Sequence, residues 1–292
     1  FVEPYFLGRR IQAGVTAYNR NQENNSFRPY DSISQGGGVS FGLPLTRDLS
    51  AQVFYDFDST TVSNTTQPNL YQNGRIVTSV LGAGLTYNTL DSIRSPRDGI
   101  YANVRADFAG LGGQVRFLRT TGTVAYYKTL MEDADLVGSV NLRGGYIRGI
   151  NRRLRFIDHF QATSKMVRGF SEGRFGPRTA AGTYVGTNEY LAATAEVEFP
   201  FPGLTEGLGI RGALFADAAY LGGATSTLND GTSFGNGANA GLTGINAVRA
   251  SVGVSILWDS PLGPLRGDFA RVVKKLPTDE TQIFNFGVST RF

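Results

Sequence analysis

Apolar and polar residues alternate with a period of two along most of this chain, which is the pattern of β-strands. In the stretch "AVRASVGVSILWDS", one face carries the large apolar residues and the other carries Arg249, Ser251 and Ser255. The same alternation recurs in "SAQVFYDFDS" and "YLAATAEVEFP", and no convincing amphipathic helix competes with it. The sequence therefore predicts an all-β protein.

The alternating segments give the positions of the predicted strands. Twelve long strands are predicted near residues 10–20, 33–45, 49–59, 77–90, 99–109, 115–130, 134–149, 186–199, 208–221, 247–259, 264–274 and 283–292. Two shorter strands are predicted around 153–165, and half a strand at 1–6.

The connections between these strands alternate in length. Tight turns such as "PLTRD", "SPRDG" and "MEDAD" alternate with long polar stretches, which occupy 20–32, 60–76, 168–185 and 222–246. Short turns at one rim and long loops at the other are typical of transmembrane β-barrels. A soluble sandwich also alternates, but the charged inner face predicted here would disrupt a dry core and suits a polar lumen. We therefore predict a transmembrane antiparallel β-barrel.

The strand count and the first residue bear on the extent of the domain. Bacterial single-chain barrels have even strand numbers, so the predicted segments point to about 16 strands in the full domain. The chain begins at Phe1 inside a predicted half-strand and has no charged-then-apolar leader. The prediction is one outer-membrane barrel domain over residues 1–292, with the N-terminal strand region missing from the chain.

Composition and charge exclude several function classes. Cysteine is absent, which rules out disulfides and thiolate metal sites. The formal net charge is +4, and no basic cluster interleaves with aromatic residues as a nucleic-acid site requires. The sequence contains no run of about 18 apolar residues, so it predicts no transmembrane helix. Nucleic-acid partners are therefore not expected.

An enzyme built on a barrel is an alternative of a different class. Such chemistry usually needs a nucleophile and a base that a third group orients. The only histidine is His159, and together with its neighbours Asp158 and Ser164 it matches no triad signature. No phosphate loop or metal-ligand cluster is present in the sequence. We therefore expect no catalytic residue, no metal and no cofactor.

Several motifs are more specific than the alternation. They are "EPYFLGRR" at 3–10, "YNTLDSIRSPRDGIY" at 87–101, "MVRGFSEGRFGPR" at 166–178 and "WDSPLGPLRGDFA" at 258–270. Together they resemble the BamA family of outer-membrane barrel assembly factors, in register over nearly the whole chain. The Val-Arg-Gly-Phe element also marks the wider superfamily, which includes TamA and the two-partner-secretion transporters.

The resemblance implies roles for particular residues. In the family the Val-Arg-Gly-Phe loop folds back into the barrel lumen, where its arginine meets acidic residues on the next two strands. The matching loop residues here are Val167, Arg168, Gly169 and Phe170. The implied acidic partners of Arg168 are Glu198 in "EVEF" and Asp217 in "LFADAAY". Both acids also have the parity of the polar face.

The last residues, "NFGVSTRF", resemble the terminal signal of outer-membrane barrels. Asn285, Gly287 and Phe292 fit that signal, whereas Thr290 stands where a larger apolar residue is usual. In the family, the last strand and the first strand meet at a lateral seam. The sequence therefore predicts that the strand at 283–292 forms one side of such a seam.

The function that the resemblance implies is that of the central subunit of the outer-membrane protein assembly machinery. Such a subunit catalyses the folding and insertion of β-barrel proteins into the outer membrane. The implied partners are unfolded outer-membrane protein clients, outer-membrane lipid and accessory lipoproteins, and periplasmic POTRA domains are expected upstream. A TamA-like or two-partner-secretion translocation barrel is an alternative, and a passive porin is a second one.

Overall fold

The structure is a computed structural model that describes residues 1–24, 29–68, 70–71, 73–151, 154–201, 203, 208–223, 226–227, 233–234, 242–260 and 263–288. Its strands are β1 (Val2–Glu3), β2 (Gln12–Gln22), β3 (Asp31–Pro44), β4 (Leu49–Ser63), β5 (Gly74–Asn88), β6 (Gly99–Gly113), β7 (Phe117–Met131), β8 (Leu136–Gly149), β9 (Arg178–Thr179), β10 (Glu189–Pro200), β11 (Ile210–Gly222), β12 (Ser226–Thr227), β13 (Ser233–Phe234), β14 (Leu242–Thr243), β15 (Ala247–Ser260), β16 (Gly263–Lys274) and β17 (Phe284–Val288). Two short 3-10 helices span Phe6–Gly8 and Phe156–Asp158.

Thirteen of these strands form one antiparallel sheet in the order β1-β2-β3-β4-β5-β6-β7-β8-β10-β11-β15-β16-β17. Each strand pairs with its neighbour in the chain, apart from the four two-residue strands that form two small sheets of their own. Within the described residues, β1 and β17 are the two ends of the sheet, and no pairing joins them. The predicted all-β, antiparallel architecture is confirmed.

The predicted short strands around 153–165 are wrong where the structure describes that segment. Residues 154–165 contain the helix Phe156–Asp158 and irregular backbone, with one isolated bridge from Phe160 to Thr187. Their apolar residues belong to buried clusters inside the sheet, where Phe156 is fully buried. The apolar residues of this segment therefore belong to a packed loop and not to strands. The half-strand predicted at 1–6 is β1 followed by a 3-10 helix.

The two faces of the long strands differ as the alternation predicts. On β15 the apolar Val252, Val254 and Trp258 are exposed on the outside, while Arg249 and Ser251 are buried inside. Apolar side chains are also exposed on the outer faces of β4, β6 and β11. An apolar outer belt and a polar interior suit strands that cross a lipid bilayer. No helix in the described part of the chain is long and apolar enough to cross a membrane.

Contacts between distant strands show that the sheet curls around an interior. The segment Thr89–Asp98 between β5 and β6, named here the mouth segment, reaches β15 although five strands lie between them. Ser95 Oγ donates a hydrogen bond to Asp259 Oδ2 at 3.4 Å. Arg97 pairs with Asp135 in the β7–β8 turn, and Pro96 is fully buried. The mouth segment thus crosses the short-turn end of the lumen.

Candidate functional site

The long connection between β8 and β10 lies inside the curled sheet, and its residues 154–188 are named here the luminal loop. Val167, Phe170 and Phe175 are almost completely buried in an apolar cluster with Ala219 and Leu221 of β11. The Phe170 and Phe175 ring centroids are 5.0 Å apart. Apolar packing against the inner wall therefore fixes the Val-Arg-Gly-Phe element, with one side of it turned to polar residues.

Gly169 occupies a position that other residues would fill poorly. Its φ is +87°, a region that favours glycine. A Cβ at this position would lie 3.0 Å from Ala270 Cβ and 3.1 Å from Val272 Cγ2, both on β16. Gly169 therefore allows the loop backbone to approach β16 closely.

Arg168 points at the wall and forms a bidentate pair with Asp217 of β11. Its Nε lies 2.7 Å from Asp217 Oδ2, and its Nη2 lies 2.7 Å from Oδ1. The Arg168 backbone N–H also donates to Oδ2, at 3.0 Å. Only 2% of the Asp217 side chain is exposed. A bidentate, charge-assisted pair is the strong form of an arginine–carboxylate interaction. Asp217 thus binds both the backbone and the side chain of Arg168.

A second carboxylate, Glu196 of β10, joins Arg168 to Arg266 of β16. Arg168 Nη1 donates to Glu196 Oε2 at 2.8 Å, and Arg266 Nη2 donates to the same oxygen at 2.6 Å. Arg266 Nε also donates to Asp268 Oδ1 at 2.7 Å. The two arginines and the three carboxylates of Glu196, Asp217 and Asp268 are named here the luminal charge network. It joins the loop to three wall strands.

The structure corrects one of the two implied acidic partners. Glu196, two residues earlier than the predicted Glu198, is the β10 carboxylate that Arg168 contacts. Glu198 pairs with Arg211, whose Nε lies 3.4 Å from its Oε2. Both acids face the lumen because they share a parity, so parity cannot select between them. The depth at which the luminal loop inserts determines which acid Arg168 contacts, and the loop reaches the level of Glu196.

An aromatic ring completes the surroundings of Arg168. Its guanidinium carbon lies 3.4 Å from the ring centroid of Phe215, which projects inward from β11. Stacking on an aromatic face favours a cation that is partly removed from water. Because the network has three acids for two arginines, the guanidinium is also in a locally anionic environment. Both effects hold Arg168 at this wall.

The luminal charge network lies directly behind the last described strand. In the β16–β17 register, Asn285 is opposite Asp268 and Gly287 is opposite Arg266. A polar cavity of about 380 Å³ opens there, lined by Asn141, Arg143, Glu196, Arg266, Asn285 and Gly287. The inward residues of the predicted terminal signal thus face the network. Phe292 and Thr290 lie outside the described residues.

The charged mouth segment forms a separate group at the short-turn rim. Asp135 accepts hydrogen bonds from Arg97 and Arg211. Partial burial would raise the pKa of Asp135, but the hydrogen bonds from these two arginines outweigh it and lower the pKa below its ordinary value. The carboxylate therefore stays ionised and ties the mouth segment to β11.

His159 has the environment of a packed residue. It is buried, its Nδ1 lies 3.3 Å from the carbonyl oxygen of Gly186, and its ring meets Phe156 edge-on at 5.3 Å. Asp158 pairs with Arg155 through two hydrogen bonds. Among the described residues, no group of three or more His, Cys, Asp or Glu is placed to hold a metal ion.

Sequence reasoning missed three residues of the network, namely Glu196, Arg266 and Asp268. Glu196 stands in "YLAATAEVEFP" with the same parity as Glu198, which marks the inner face. Arg266 and Asp268 stand in "PLGPLRGDFA", where their alternation marks the inner face. That parity indicates that both residues face the lumen. It does not predict their partners, because contacts across the lumen depend on the curvature of the sheet.

Comparisons with known proteins bear on the family and the fold. The Omp85 superfamily domain matches residues 1–292. An outer membrane protein assembly factor BamA of Neisseria meningitidis serogroup B is 26% identical over 330 residues, covering 100% of this chain and 41% of that protein. The BamA of Neorickettsia risticii is 28% identical over 287 residues, covering 97% of this chain and 37% of that protein.

A solved structure has the same fold. A crystal structure of BamA from Haemophilus ducreyi lacking POTRA domains 1–3 superimposes with a TM-score of 0.82 at 21% identity. The match covers 98% of this chain and 60% of that one. The chain thus spans about two fifths of the length of the two curated relatives.

Proposed function

Because the chain belongs to the Omp85 superfamily and forms a β-barrel of the bacterial outer membrane, we propose that it is the membrane part of an assembly factor. In this proposal it folds outer-membrane β-barrel clients and inserts them through a lateral seam at the ends of its sheet. Unfolded client chains and outer-membrane lipid are its partners, together with accessory lipoproteins.

The observation that carries the proposal is the position of the luminal charge network behind the last strand. Arg168 on the luminal loop and Arg266 on β16 share Glu196. Arg266 is in register with Gly287 of β17. The loop therefore supports the penultimate strand from inside, while β17 stands at the end of the sheet. A supported wall beside a strand whose outer edge has no partner among the described residues is what a templating edge needs.

The physical reason for a template is the cost of unpaired backbone in lipid. Each unsatisfied N–H or C=O group in the hydrocarbon region costs several kcal/mol. A client strand that pairs with an exposed sheet edge satisfies these groups before it enters the membrane. This activity needs no nucleotide, metal or cofactor. It is physical catalysis, and we assign no enzymatic role to His159 or its neighbours.

A passive porin and a translocation barrel are the competing functions. The luminal loop fills part of the interior with an apolar cluster and a charge network, which suits a plug better than an open pore. No observation on the described residues favours translocation of a secreted chain over insertion of a barrel, so insertion rests on the two BamA relatives.

Depletion of the protein in its host tests the proposal. The measurement is the abundance of several unrelated outer-membrane barrels, by quantitative mass spectrometry of outer membranes. An assembly factor predicts that many barrels decline together. Loss of this protein alone, with other barrels unchanged, would indicate a porin, and loss of a single secreted substrate would indicate a translocation barrel.

A further inference from the structure

A second buried ion pair lies apart from the luminal charge network. Arg249 of β15 and Asp279 are both 0% exposed at their side chains. Arg249 Nε lies 3.0 Å from Asp279 Oδ2, and Arg249 Nη2 lies 3.0 Å from Oδ1. The same guanidinium donates to the carbonyl oxygens of Ala247 and Gly244. Both charges are thus satisfied without water.

Asp279 belongs to the connection that leads directly into β17. This connection, Leu276–Gln282, is named here the lead-in segment. Asp279 Oδ1 accepts a hydrogen bond from the backbone N–H of Gly176 at 3.2 Å, and Oδ2 accepts one from Leu276 at 2.8 Å. One carboxylate therefore joins β15, the luminal loop and the lead-in segment.

Backbone hydrogen bonds extend this junction to the Val-Arg-Gly-Phe element. Ser171 N–H donates to the Glu280 carbonyl, and Glu280 N–H donates to the Arg174 carbonyl, each at 3.0 Å. Gln282 N–H donates to the Gly169 carbonyl at 3.0 Å. Gly169 is the neighbour of Arg168, so the lead-in segment is fastened to the residue beside the luminal charge network.

The location of the pair suggests its role. A buried ion pair often adds little net stability over well-packed apolar residues, and its best-attested use is to specify one arrangement among several. β17 is an end strand, and an end strand can slip in register unless something fixes it. The last of these hydrogen bonds is made by Gln282, two residues before Phe284, where β17 begins.

We propose that Arg249 and Asp279 are positioning residues that hold the start of β17 against the luminal loop. They fix the register of the seam strand at this end and leave its other end free to open. This inference rests on the proposed function for its purpose, but the positioning itself is a property of the protein without a client.

Hydrogen exchange on the full-length protein in lipid tests the positioning. In Asp279→Asn the orphaned Arg249 should release the lead-in segment, so the amides of residues 282–288 should exchange roughly a hundredfold faster, as loss of one partner of a buried pair implies. Amides of β3 to β8 should be unchanged. Unchanged exchange at 282–288 in folded Asp279→Asn would overturn the proposal.

A matched control is available in the same two segments. Arg174 and Glu280 also join the luminal loop to the lead-in segment, with Nη1–Oε2 at 2.9 Å, but their side chains are 36% and 49% exposed. Exposed pairs contribute little, so Glu280→Gln should leave the exchange of β17 near that of the parent. An equal effect from both variants would show that any disturbance of the segment suffices, and would also overturn the proposal.

A disulfide rescue separates positioning from general stability. Because Phe170 and Thr281 are bridge partners, Ser171 and Glu280 lie opposite each other, and the chain has no cysteine of its own. Ser171→Cys with Glu280→Cys, added to Asp279→Asn, should restore slow exchange and client insertion when oxidised but not when reduced. Failure of the oxidised form to restore slow exchange would contradict positioning.

The outcomes distinguish this proposal from the proposed function. If Asp279→Asn fails to fold, the double variant Arg249→Met with Asp279→Leu removes both charges and leaves no unpaired charge. It should fold and still show fast exchange at 282–288, and slow exchange there would overturn the proposal. A parent protein that inserts no client refutes the proposed function, whereas unchanged β17 exchange refutes the positioning alone.

Discussion

Arg266 of β16 and Glu196 of β10 meet at 2.6 Å between Nη2 and Oε2, although β11 and β15 lie between their strands. Such a contact requires long side chains that reach across a curved wall. Arg168 contacts the same Glu196 oxygen at 2.8 Å. One carboxylate thus couples the luminal loop to the strand beside the end of the sheet.

Loss of Arg168 should destabilise the domain. Arg168→Ala orphans the buried Asp217 and removes one of the two arginines that Glu196 contacts, and breaking a buried pair in this way typically costs about 3–5 kcal/mol. The expected result is earlier unfolding in urea, read from the heat-modifiable mobility of the folded barrel, and weaker client insertion. Arg174→Ala, in the same loop but partly exposed, should have little effect. Unchanged unfolding of Arg168→Ala would contradict the account.

Glu196 and Glu198 should differ in their effects on the luminal loop. Glu196→Gln removes the charge shared by two arginines, so the luminal loop should become more accessible to protease. Glu198→Gln disturbs the pair with Arg211 and should leave the loop protected. Limited proteolysis of both variants in lipid measures this. Equal protection of the loop in the two variants would rule out the assigned pairing.

Gly169 should be sensitive for two separable reasons. Gly169→Ala places a side chain at positive φ and sets its Cβ 3.0 Å from Ala270 Cβ. Gly182 has nearly the same φ, +86°, with no atom within 4 Å of its Cβ position. Gly169→Ala and Gly182→Ala both bear the conformational strain, of order 1–3 kcal/mol, but only Gly169→Ala also crowds the side chains of β16. Urea unfolding should therefore shift more for Gly169→Ala, and equal shifts would argue against a close approach.

The pair of Asp135 with its arginines should give a pH-dependent stability contribution. The pKa of Asp135 is lowered in the folded protein, so its stabilisation is present above the ordinary aspartate pKa of about 3.9. It is lost as pH falls through the lower, folded-state pKa.

Urea unfolding of the parent and Asp135→Asn over a pH series measures the effect of Asp135. The difference should be at most about 1 kcal/mol near neutral pH, because the groups are partly exposed. It should shrink as the solution becomes more acidic than the folded pKa. If the difference in unfolding free energy between the parent and Asp135→Asn grew on acidification, it would contradict a lowered pKa of Asp135.

Much of the fold is readable from the sequence because the alternation directly reports the two environments of each strand. The faces of β15, with Trp258 outside and Arg249 inside, follow from parity alone. Parity failed at residues 154–165, where a buried loop and a strand have similar apolar content. It also could not choose between Glu196 and Glu198, because that choice depends on how deeply the loop inserts.

The junction around Asp279 was not predictable in the same way. Asp279 stands in "KKLPTDETQ", which reads as an ordinary polar loop. Its burial results from the luminal loop, β15 and the lead-in segment meeting in space. No local pattern encodes a contact among three segments so far apart in the chain.

The most direct test of the central claim is site-specific crosslinking during assembly. A photo-crosslinking residue at Phe286 of β17 in the full-length protein, with a client labelled in its terminal strand, reports whether a client strand pairs at this edge. We expect crosslinks to the terminal strand of the client while insertion is in progress, and none from a matching position at Val124, in the interior of the sheet. Efficient insertion without any crosslink at Phe286 would contradict this expectation.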